Sequence, residues 1–150
     1  MTNDVIIERL AIYSDDDAVA IGKLLTSLSE RFTGNPVPED LLREIINSPY
    51  HDELVARLEG RIVGAATLSI VMGAGTGKIG YLEDFVVDTS IRRAGIGTKI
   101  WDEMKLWCEE HNVNLEFTSR PGREEAHEFY TSRGAIIRQT TVFRVPWQKK

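Results

Sequence analysis

The sequence predicts a single mixed α/β domain, and three observations support this. Segments with apolar residues three or four positions apart, typical of helices, alternate with segments rich in β-branched residues, typical of strands. The chain has 150 residues, a length that suits one domain with a sizeable core. No internal repeat, low-complexity segment or linker divides the sequence. We therefore expect one domain over residues 1–150, with the element order β-α-α-β-β-β-α-β-α-β.

The N-terminal third of the sequence predicts one strand and two helices. Aliphatic and β-branched residues dominate positions 5–13, which indicates a strand. The acidic residues at 15–17 favour a helix start, because the positive end of a helix dipole attracts carboxylates. Apolar residues at helical spacing extend this helix to about Phe32. A second helix is expected between Pro38 and Pro49.

The middle of the sequence predicts three strands joined by two glycine-containing turns. Residues 54–58 and 62–71 are expected to form a hairpin around Glu59-Gly60-Arg61, and a third strand is expected over residues 79–87. The loop 72–79 has the glycines of a phosphate-binding loop, but it lacks the first glycine and the Ser or Thr after the lysine. It also lies between two strands rather than before a helix, so we expect a hairpin connection.

The C-terminal third predicts two helices and up to three strands. A long helix is expected over residues 94–111, where apolar side chains recur three or four positions apart. A strand follows at 113–118, and a last helix at 123–133 ends before Gly134, because glycine favours a helix stop. Residues 136–145 carry enough β-branched side chains for one long or two short strands.

The composition argues against several classes of protein. Acidic residues outnumber basic ones by 23 to 18, and a net charge of −5 argues against a nucleic-acid partner. The single Cys108 cannot form an internal disulfide or a zinc cluster, and the three histidines have no metal-ligand spacing. The sequence has no N-terminal apolar segment of signal-peptide length and no run long enough to span a membrane. We therefore expect a cytoplasmic protein with no metal, nucleic-acid or membrane partner.

The segment Arg92-Arg93-Ala94-Gly95-Ile96-Gly97 predicts an anion site. It follows a strand and leads into the long helix, whose first N–H groups and dipole favour an anion. Gly95 and Gly97 lack a Cβ, so a ligand can approach the backbone closely. Arg92 and Arg93 add positive charge beside the site. The alternative is a pair of glycines that only loosens the start of a helix.

The strand at 79–87 contains two adjacent carboxylates, Glu83 and Asp84, inside an apolar run. Successive strand residues point to opposite faces, so at least one carboxylate is expected to face a covered side of the sheet. Burial raises the pKa of a carboxyl group toward the range of a useful base. The alternatives are a strand near the sheet edge with one carboxylate in solvent, or a structural salt bridge.

Tyr130, on the last predicted helix, is a candidate acid. It lies beside Phe129, and one interpretation is that the two are core aromatic residues. The functional interpretation uses the phenol, whose ordinary pKa is about 10, as an acid matched to a thiolate leaving group. The residues alone leave both interpretations open.

Two motifs give the sequence a resemblance to the GNAT superfamily of acyl-CoA-dependent N-acyltransferases. The first is Arg-x-x-Gly-x-Gly, and it is formed here by Arg92, Gly95 and Gly97. The second is a helix with Ala-x-x-Phe-Tyr and a later glycine, and it is formed by Ala126, Phe129, Tyr130 and Gly134. Residues 80–87 are similar to the corresponding strand of glucosamine-6-phosphate N-acetyltransferases. The resemblance covers essentially the whole chain.

The resemblance implies a GNAT fold with a central mixed, mostly antiparallel sheet of six to seven strands, four helices and a V-shaped splay between the fourth and fifth strands. It also implies transfer of an acetyl group from acetyl-CoA to the primary amine of a small molecule, by direct attack in a ternary complex. We further expect a homodimer. The alternatives are a protein or peptide amine as the acceptor, or a coenzyme A-binding sensor without turnover on the same fold.

The resemblance also implies roles for individual residues. Glu83 is the first candidate for the base that deprotonates the amine, Asp84 is the second, and Tyr130 is the acid for the leaving thiolate. The substrate is expected between the N-terminal helices and the splayed strands, and its candidate contacts are Phe32, Thr33, Tyr81 and Arg120. Strand backbone is expected to pair with the pantetheine amides, and loop amides to bind the pyrophosphate. The candidate cofactor-binding residues are Phe85, Val86, Val87, Arg92, Arg93, Ala94, Gly95, Ile96, Gly97, Arg123 and Phe129.

Overall fold

The structure is a computed structural model that describes residues 4–91 and 95–148. The chain forms two compact units, Met1–Phe117 and Thr118–Lys150. The described elements of the first unit are β1 (Val5–Arg9), α1 (Asp15–Leu25), α2 (Glu39–Asn47), β2 (His51–Leu58), β3 (Arg61–Gly73), β4 (Gly77–Val87), α3 (Ile96–His111) and β5 (Leu115–Glu116). The second unit contains α4 (Glu124–Ser132). The expectation of one domain over residues 1–150 stays a prediction.

The described strands form one mixed sheet in the order β1-β2-β3-β4-β5, which confirms the predicted fold class. β1 to β4 are antiparallel neighbours, and β5 is parallel to β4. The pairing of β5 with β4 covers only Gly80 and Tyr81, although β4 continues to Val87. The two strands therefore part after Tyr81, where the splay between the fourth and fifth strands is expected.

Both predicted hairpins are confirmed. Leu58 pairs with Arg61, so the first turn consists of Glu59 and Gly60. These two residues have φ of 50° and 80°, and a two-residue turn with positive φ at both positions matches the right-handed twist of the strands. In the glycine-rich loop, Gly73 pairs with Gly77, so this loop connects β3 to β4 and does not begin a helix.

Helices cover the two opposite faces of the sheet. A Cβ on Gly64 of β3 would lie 2.7 Å from Ile100 of α3, so this glycine allows the helix to approach closely. The next residue, Ala65, packs in a core cluster with Ile21 of α1 and Leu42 of α2. Because adjacent strand residues face opposite ways, α3 lies on one face and α1 with α2 on the other.

Several predicted boundaries are wrong because local polar groups end the elements early. β1 ends at Arg9 instead of residue 13, since the chain turns into α1, where Ser14 accepts a hydrogen bond from the Asp17 N–H. α1 ends at Leu25 instead of Phe32. The hydroxyls of residues 26 and 27 donate to carbonyls of the last helical turn at 2.7 and 2.8 Å, and such bonds compete with helix continuation.

The strands predicted at 136–145 are wrong. Residues 135–148 form neither helix nor strand, so the described sheet has five strands rather than six to seven, and β5 is shorter than the predicted 113–118. β-branched residues favour strands through pairing and side-chain burial. The apolar side chains of this segment are exposed, so strand propensity has no packing to support it.

The second unit contains the predicted last helix. α4 ends at Ser132, and Gly134 adopts φ of 92°, a left-handed conformation that stops a helix, as expected. The N–H groups of Gly134 and Ala135 donate to the carbonyls of Thr131 and Tyr130, both at 3.1 Å. In neither described stretch of the chain is a helix long and apolar enough to cross a membrane.

Candidate active site

β4 contains a β-bulge at its two carboxylates. The register pairs Thr67 of β3 with Glu83 but Ala65 with Val86, so β4 has one extra residue in this interval. Asp84 adopts φ of 52°, a left-handed conformation that aspartate tolerates better than most residues. A bulge changes the direction of side chains, so simple alternation does not predict which carboxylate faces the covered side.

A cavity of about 350 Å³ lies between the N-terminal helices and this part of the sheet. Its helical side is largely apolar, and the residues there include Ile21, Leu25, Phe32, Val37, Leu41 and Ile45. The sheet contributes Glu53, Thr67 and Asp84. Among the described residues that line the cavity, the charged ones are Glu53 and Asp84, and both are acidic. The cavity therefore combines apolar walls with a floor that contains two acidic side chains.

The segment after α1 forms one wall of the cavity because it is held against that helix. The Val37 N–H donates a hydrogen bond to the Ala18 carbonyl at 3.1 Å. Gly22 permits close approach of the segment, since a Cβ at this position would overlap the carbonyl oxygen of Asn35. Phe32 and Thr33, both predicted substrate contacts, line the cavity, whereas Tyr81 is not among its lining residues.

Glu53 is a candidate functional residue that the sequence analysis missed. Its side chain is buried, with 4% of the residue exposed, and the Thr67 hydroxyl donates to its Oε2 at 2.5 Å. The pKa of Glu53 is raised to about 8, mainly because of burial, and the charge of Asp84 adds to the rise while the Thr67 hydrogen bond opposes it. The sequence does contain a signal for this residue, because Glu53 stands directly before the apolar run of β2. A carboxylate in that position is costly to bury unless it has a functional or structural role.

The two predicted bases on β4 have different environments. Asp84 is half-buried and lines the cavity, whereas Glu83 is exposed and is not among the lining residues. Burial raises the pKa of each carboxyl group, and the charge of Asp84 also raises that of Glu83. The positive charge of Arg31, an exposed residue, opposes the rise of both pKa values, so Arg31 interacts electrostatically with both carboxyl groups.

The N-terminus of α3 fits an anion. Gly95 is the N-cap with φ of 65°, and a Cβ there would meet open space, so the backbone is accessible to a ligand. The first turn of α3 has no acidic residue, in contrast to those of α1, α2 and α4, so no carboxylate on that turn compensates the helix dipole. The predicted contacts Arg92, Arg93 and Ala94 lie outside the described residues.

The predicted pantetheine contacts lie at the end of β4. Val86 is buried in the core cluster, so it can offer only backbone groups to a ligand. Phe85 and Val87 are half-buried. β5 runs beside β4 only at Gly80 and Tyr81, so it does not extend along these three residues.

The remaining predicted residues belong to the second unit. Tyr130 is half-buried and packs edge-to-face against Phe129, with ring centroids 5.9 Å apart. Burial raises the pKa of Tyr130, and the charge of Arg123 opposes this. Arg123 is the N-cap residue of α4 without a side-chain capping bond, and Arg120 is exposed. The Tyr130 phenol is therefore protonated at neutral pH, the state an acid requires, and its raised pKa makes it a weaker acid than a free tyrosine.

Comparison with known families decides the identity of the fold. The family model for the acetyltransferase (GNAT) family matches residues 22–135, which is more than half of the chain. The chain belongs to the GNAT acetyltransferase family. Members of this family generally use acetyl-CoA. The two motifs that carry the resemblance, at Gly95 and Gly97 and at Tyr130, lie within the matched residues.

Solved structures are similar over nearly the whole GNAT domain. An aminoglycoside acetyltransferase from an uncultured soil metagenomic sample, crystallised with sisomicin, is 22% identical with a TM-score of 0.79, and the alignment covers 98% of each chain. The glucosamine-6-phosphate N-acetyltransferase of Arabidopsis thaliana is 22% identical with a TM-score of 0.76, over 94% of this chain and 97% of that one. An acetyltransferase of Trypanosoma brucei is 24% identical with a TM-score of 0.72, over 96% of this chain and all (100%) of that one. These likenesses establish the fold.

Proposed function

We propose that this GNAT protein is an N-acetyltransferase that transfers an acetyl group from acetyl-CoA to the primary amine of a small molecule, by direct attack in a ternary complex. The observation that carries the proposal is the arrangement along β4. Asp84 lines the cavity at the bulge, and the same strand ends at Val87, eight positions before Gly95, the N-cap of α3. β4 and the segment that follows it thus connect the proposed amine site, in the cavity, with the proposed phosphate site at the N-terminus of α3.

The proposed cofactor contacts use backbone groups. The N–H groups at the start of α3, near Gly95 and Gly97, would hold the pyrophosphate of coenzyme A. The backbone of Phe85, Val86 and Val87 would pair with the pantetheine amides like an added strand. When bound, acetyl-CoA supplies an activated acyl group as its thioester. The accessible N-cap and the short pairing of β5 support both assignments.

The proposed proton transfers use carboxylates near the cavity. A primary amine arrives as an ammonium ion and must lose a proton before its nitrogen can attack. Glu83 and Asp84 are the candidate bases, and the position of Asp84 in the cavity wall supports Asp84. The transfer forms a C–N bond and breaks a C–S bond, and the released thiolate takes up a proton. Tyr130 is the proposed donor of that proton, since its phenol is protonated at neutral pH.

A product assay tests the proposal. The protein would be incubated with acetyl-CoA and a panel of small primary amines, while thiol release and the mass of the acetylated product are followed. We expect thiol release that depends on the amine, with one acetyl group added to the amine nitrogen. Acetyl-CoA binding without turnover on any amine would indicate a sensor, and acetylation of peptides alone would indicate a protein acceptor. Light scattering tests the expected homodimer, and cell fractionation tests the expected cytoplasmic location.

A further inference from the structure

We propose that the acceptor of this enzyme is a primary monoamine with a neutral apolar body, which occupies the cavity between the N-terminal helices and the sheet with its ammonium group against Glu53 and Asp84. The inference rests on the proposed function, because it names the substrate class of that reaction. Three observations carry it: the apolar walls, the sign of the charges on the cavity floor, and the burial of Glu53.

The helical side of the cavity is mostly apolar and disfavours polar substrates, while the uncharged polar side chains of the lining are Thr33, Asn35 and Thr67. The helical side presents Leu25, Phe32, Leu41 and Ile45, which offer no hydrogen-bonding side-chain atoms. A sugar hydroxyl placed against them would lose its water without gaining a partner, which is unfavourable. An aliphatic or aromatic body gains free energy from the same burial. A volume of about 350 Å³ falls in the range of small-ligand cavities.

The charges of the cavity select for one cation and against anions. Glu53 and Asp84 are the ionisable groups among its described lining residues, so the Asp84 carboxylate would repel a phosphate or carboxylate on the substrate, and no lining cation would offset this. Arg31 influences Asp84 and Glu83 but is exposed and does not line the cavity. An anionic amino sugar therefore fits less well than a neutral-bodied amine.

The burial of Glu53 indicates where the ammonium group lies. The groups that act on this carboxyl are the Thr67 hydroxyl from β3 and the Asp84 carboxyl from β4, and neither is a cation. A buried carboxylate is costly without an opposite charge. The raised pKa keeps the Glu53 carboxyl largely protonated near pH 7 when no cation is close. A bound ammonium group would supply the opposite charge, so that Glu53 could ionise and accept its hydrogen bonds together with Asp84.

Steady-state kinetics with three amines tests the inference. 2-Phenylethylamine represents the proposed class, glucosamine 6-phosphate is anionic, and sisomicin carries several cationic and hydroxyl groups. We expect kcat/KM for 2-phenylethylamine to exceed the other two by about tenfold or more. A higher kcat/KM for either sugar amine would overturn the inference while leaving the N-acetyltransferase function intact.

A pair of tryptophan variants tests whether the preference for 2-phenylethylamine depends on the cavity. Leu41 lines the cavity from α2 and is 49% exposed, while Leu106 on α3 is 51% exposed and does not line it. Leu41→Trp should fill part of the cavity and raise KM for 2-phenylethylamine about tenfold or more, with unchanged acetyl-CoA affinity and melting temperature. Leu106→Trp should behave like the wild type. Equal KM values in the two variants would refute the location.

Direct binding separates this inference from the proposed function. Calorimetry with 2-phenylethylamine alone should show binding to the wild-type protein and to Leu106→Trp, and weaker binding to Leu41→Trp. If no amine is acetylated but this binding pattern holds, the transferase function fails and the ligand class stands. If turnover occurs on other amines and 2-phenylethylamine does not bind, the ligand class fails alone.

Discussion

Thr67 donates a hydrogen bond from its hydroxyl to Oε2 of Glu53 at 2.5 Å, and the two residues are also register partners between β3 and β2. Thr67 is at the same time the register partner of Glu83 on β4, yet Asp84 is the β4 carboxylate that lines the cavity. The bulge in β4 accounts for this difference, since it inserts one residue and changes the direction of the side chains there.

Glu53→Gln should change how the stability of the protein depends on pH. The pKa of Glu53 is raised from 4.5 to about 8, so the folded state binds this proton more tightly than the unfolded state does. The wild type should therefore lose stability as pH rises from 4.5 through about 8, by at most about 1.4 kcal/mol per pH unit. The glutamine variant cannot titrate here and should lose less. Melting temperatures between pH 5 and 8 measure this.

The control for that experiment is Glu44→Gln, which changes an exposed carboxylate on α2. Its melting temperatures should run parallel to those of the wild type over the same pH range. Parallel curves for Glu53→Gln as well would mean that the Glu53 carboxyl does not hold its proton in the folded state.

Asp84→Asn should lower turnover by about 10²-fold or more if Asp84 is the base, with unchanged affinity for acetyl-CoA. The loss should shrink as pH rises, because more of the amine is then already deprotonated. Asparagine also tolerates a left-handed backbone, so the bulge should survive the change. The matched variant Glu83→Gln should keep most of its activity. The opposite result, with the pH-dependent loss in Glu83→Gln, would assign the base to Glu83.

Gly97→Val should weaken acetyl-CoA binding about 10²-fold. A valine side chain in the first turn of α3 blocks the approach of phosphate oxygens to the N–H groups, and each lost charged hydrogen bond is worth about 1.5–3 kcal/mol. Gly95→Val should have the same effect but adds backbone strain, because Gly95 has positive φ. Gly75→Val, in the open β3–β4 loop, is the control. Calorimetry that gives wild-type affinity for a folded Gly97→Val would exclude the site.

Gly22→Ala should destabilise the protein, although alanine normally favours a helix over glycine by about 1 kcal/mol. The new Cβ would overlap the Asn35 carbonyl and must push the cavity wall outward, which costs about 1–3 kcal/mol. The amine KM should rise with the loss of stability. Gly75→Ala, where nothing lies within 4 Å of the new Cβ, should leave both unchanged. A melting temperature above that of the wild type would contradict this prediction, because it would mean that the segment around Asn35 moves away from the new Cβ at little energetic cost.

Tyr130→Phe should lower turnover by about 10²-fold or more if the phenol protonates the leaving thiolate. Acetyl-CoA affinity should change little, since the hydroxyl acts mainly in the transition state. If Tyr130 only packs against Phe129, the variant should lose no more than one hydrogen bond, about 0.5–1.5 kcal/mol of stability. Turnover, affinity and melting temperature on one preparation distinguish the two roles.

Local sequence patterns predicted most of the fold because they depend on near neighbours along the chain. The helical spacing near α2 and α3 and the Glu59-Gly60 turn were enough to locate these elements. The segment 136–145 shows the limit of such patterns. Its β-branched residues favour strands, but strand formation also needs a pairing partner and burial, which a local pattern does not report.

The sequence by itself determined the fold class, the glycine motif at the start of α3 and the two carboxylates of β4, since each is a property of consecutive residues. Only the tertiary structure decided that Asp84 lines the cavity and that Glu53 lines the same cavity. The first depends on a bulge defined by register against β3, and the second on burial under α1 and α2. Both are contacts between distant parts of the chain, and their energies arise only when those parts pack together.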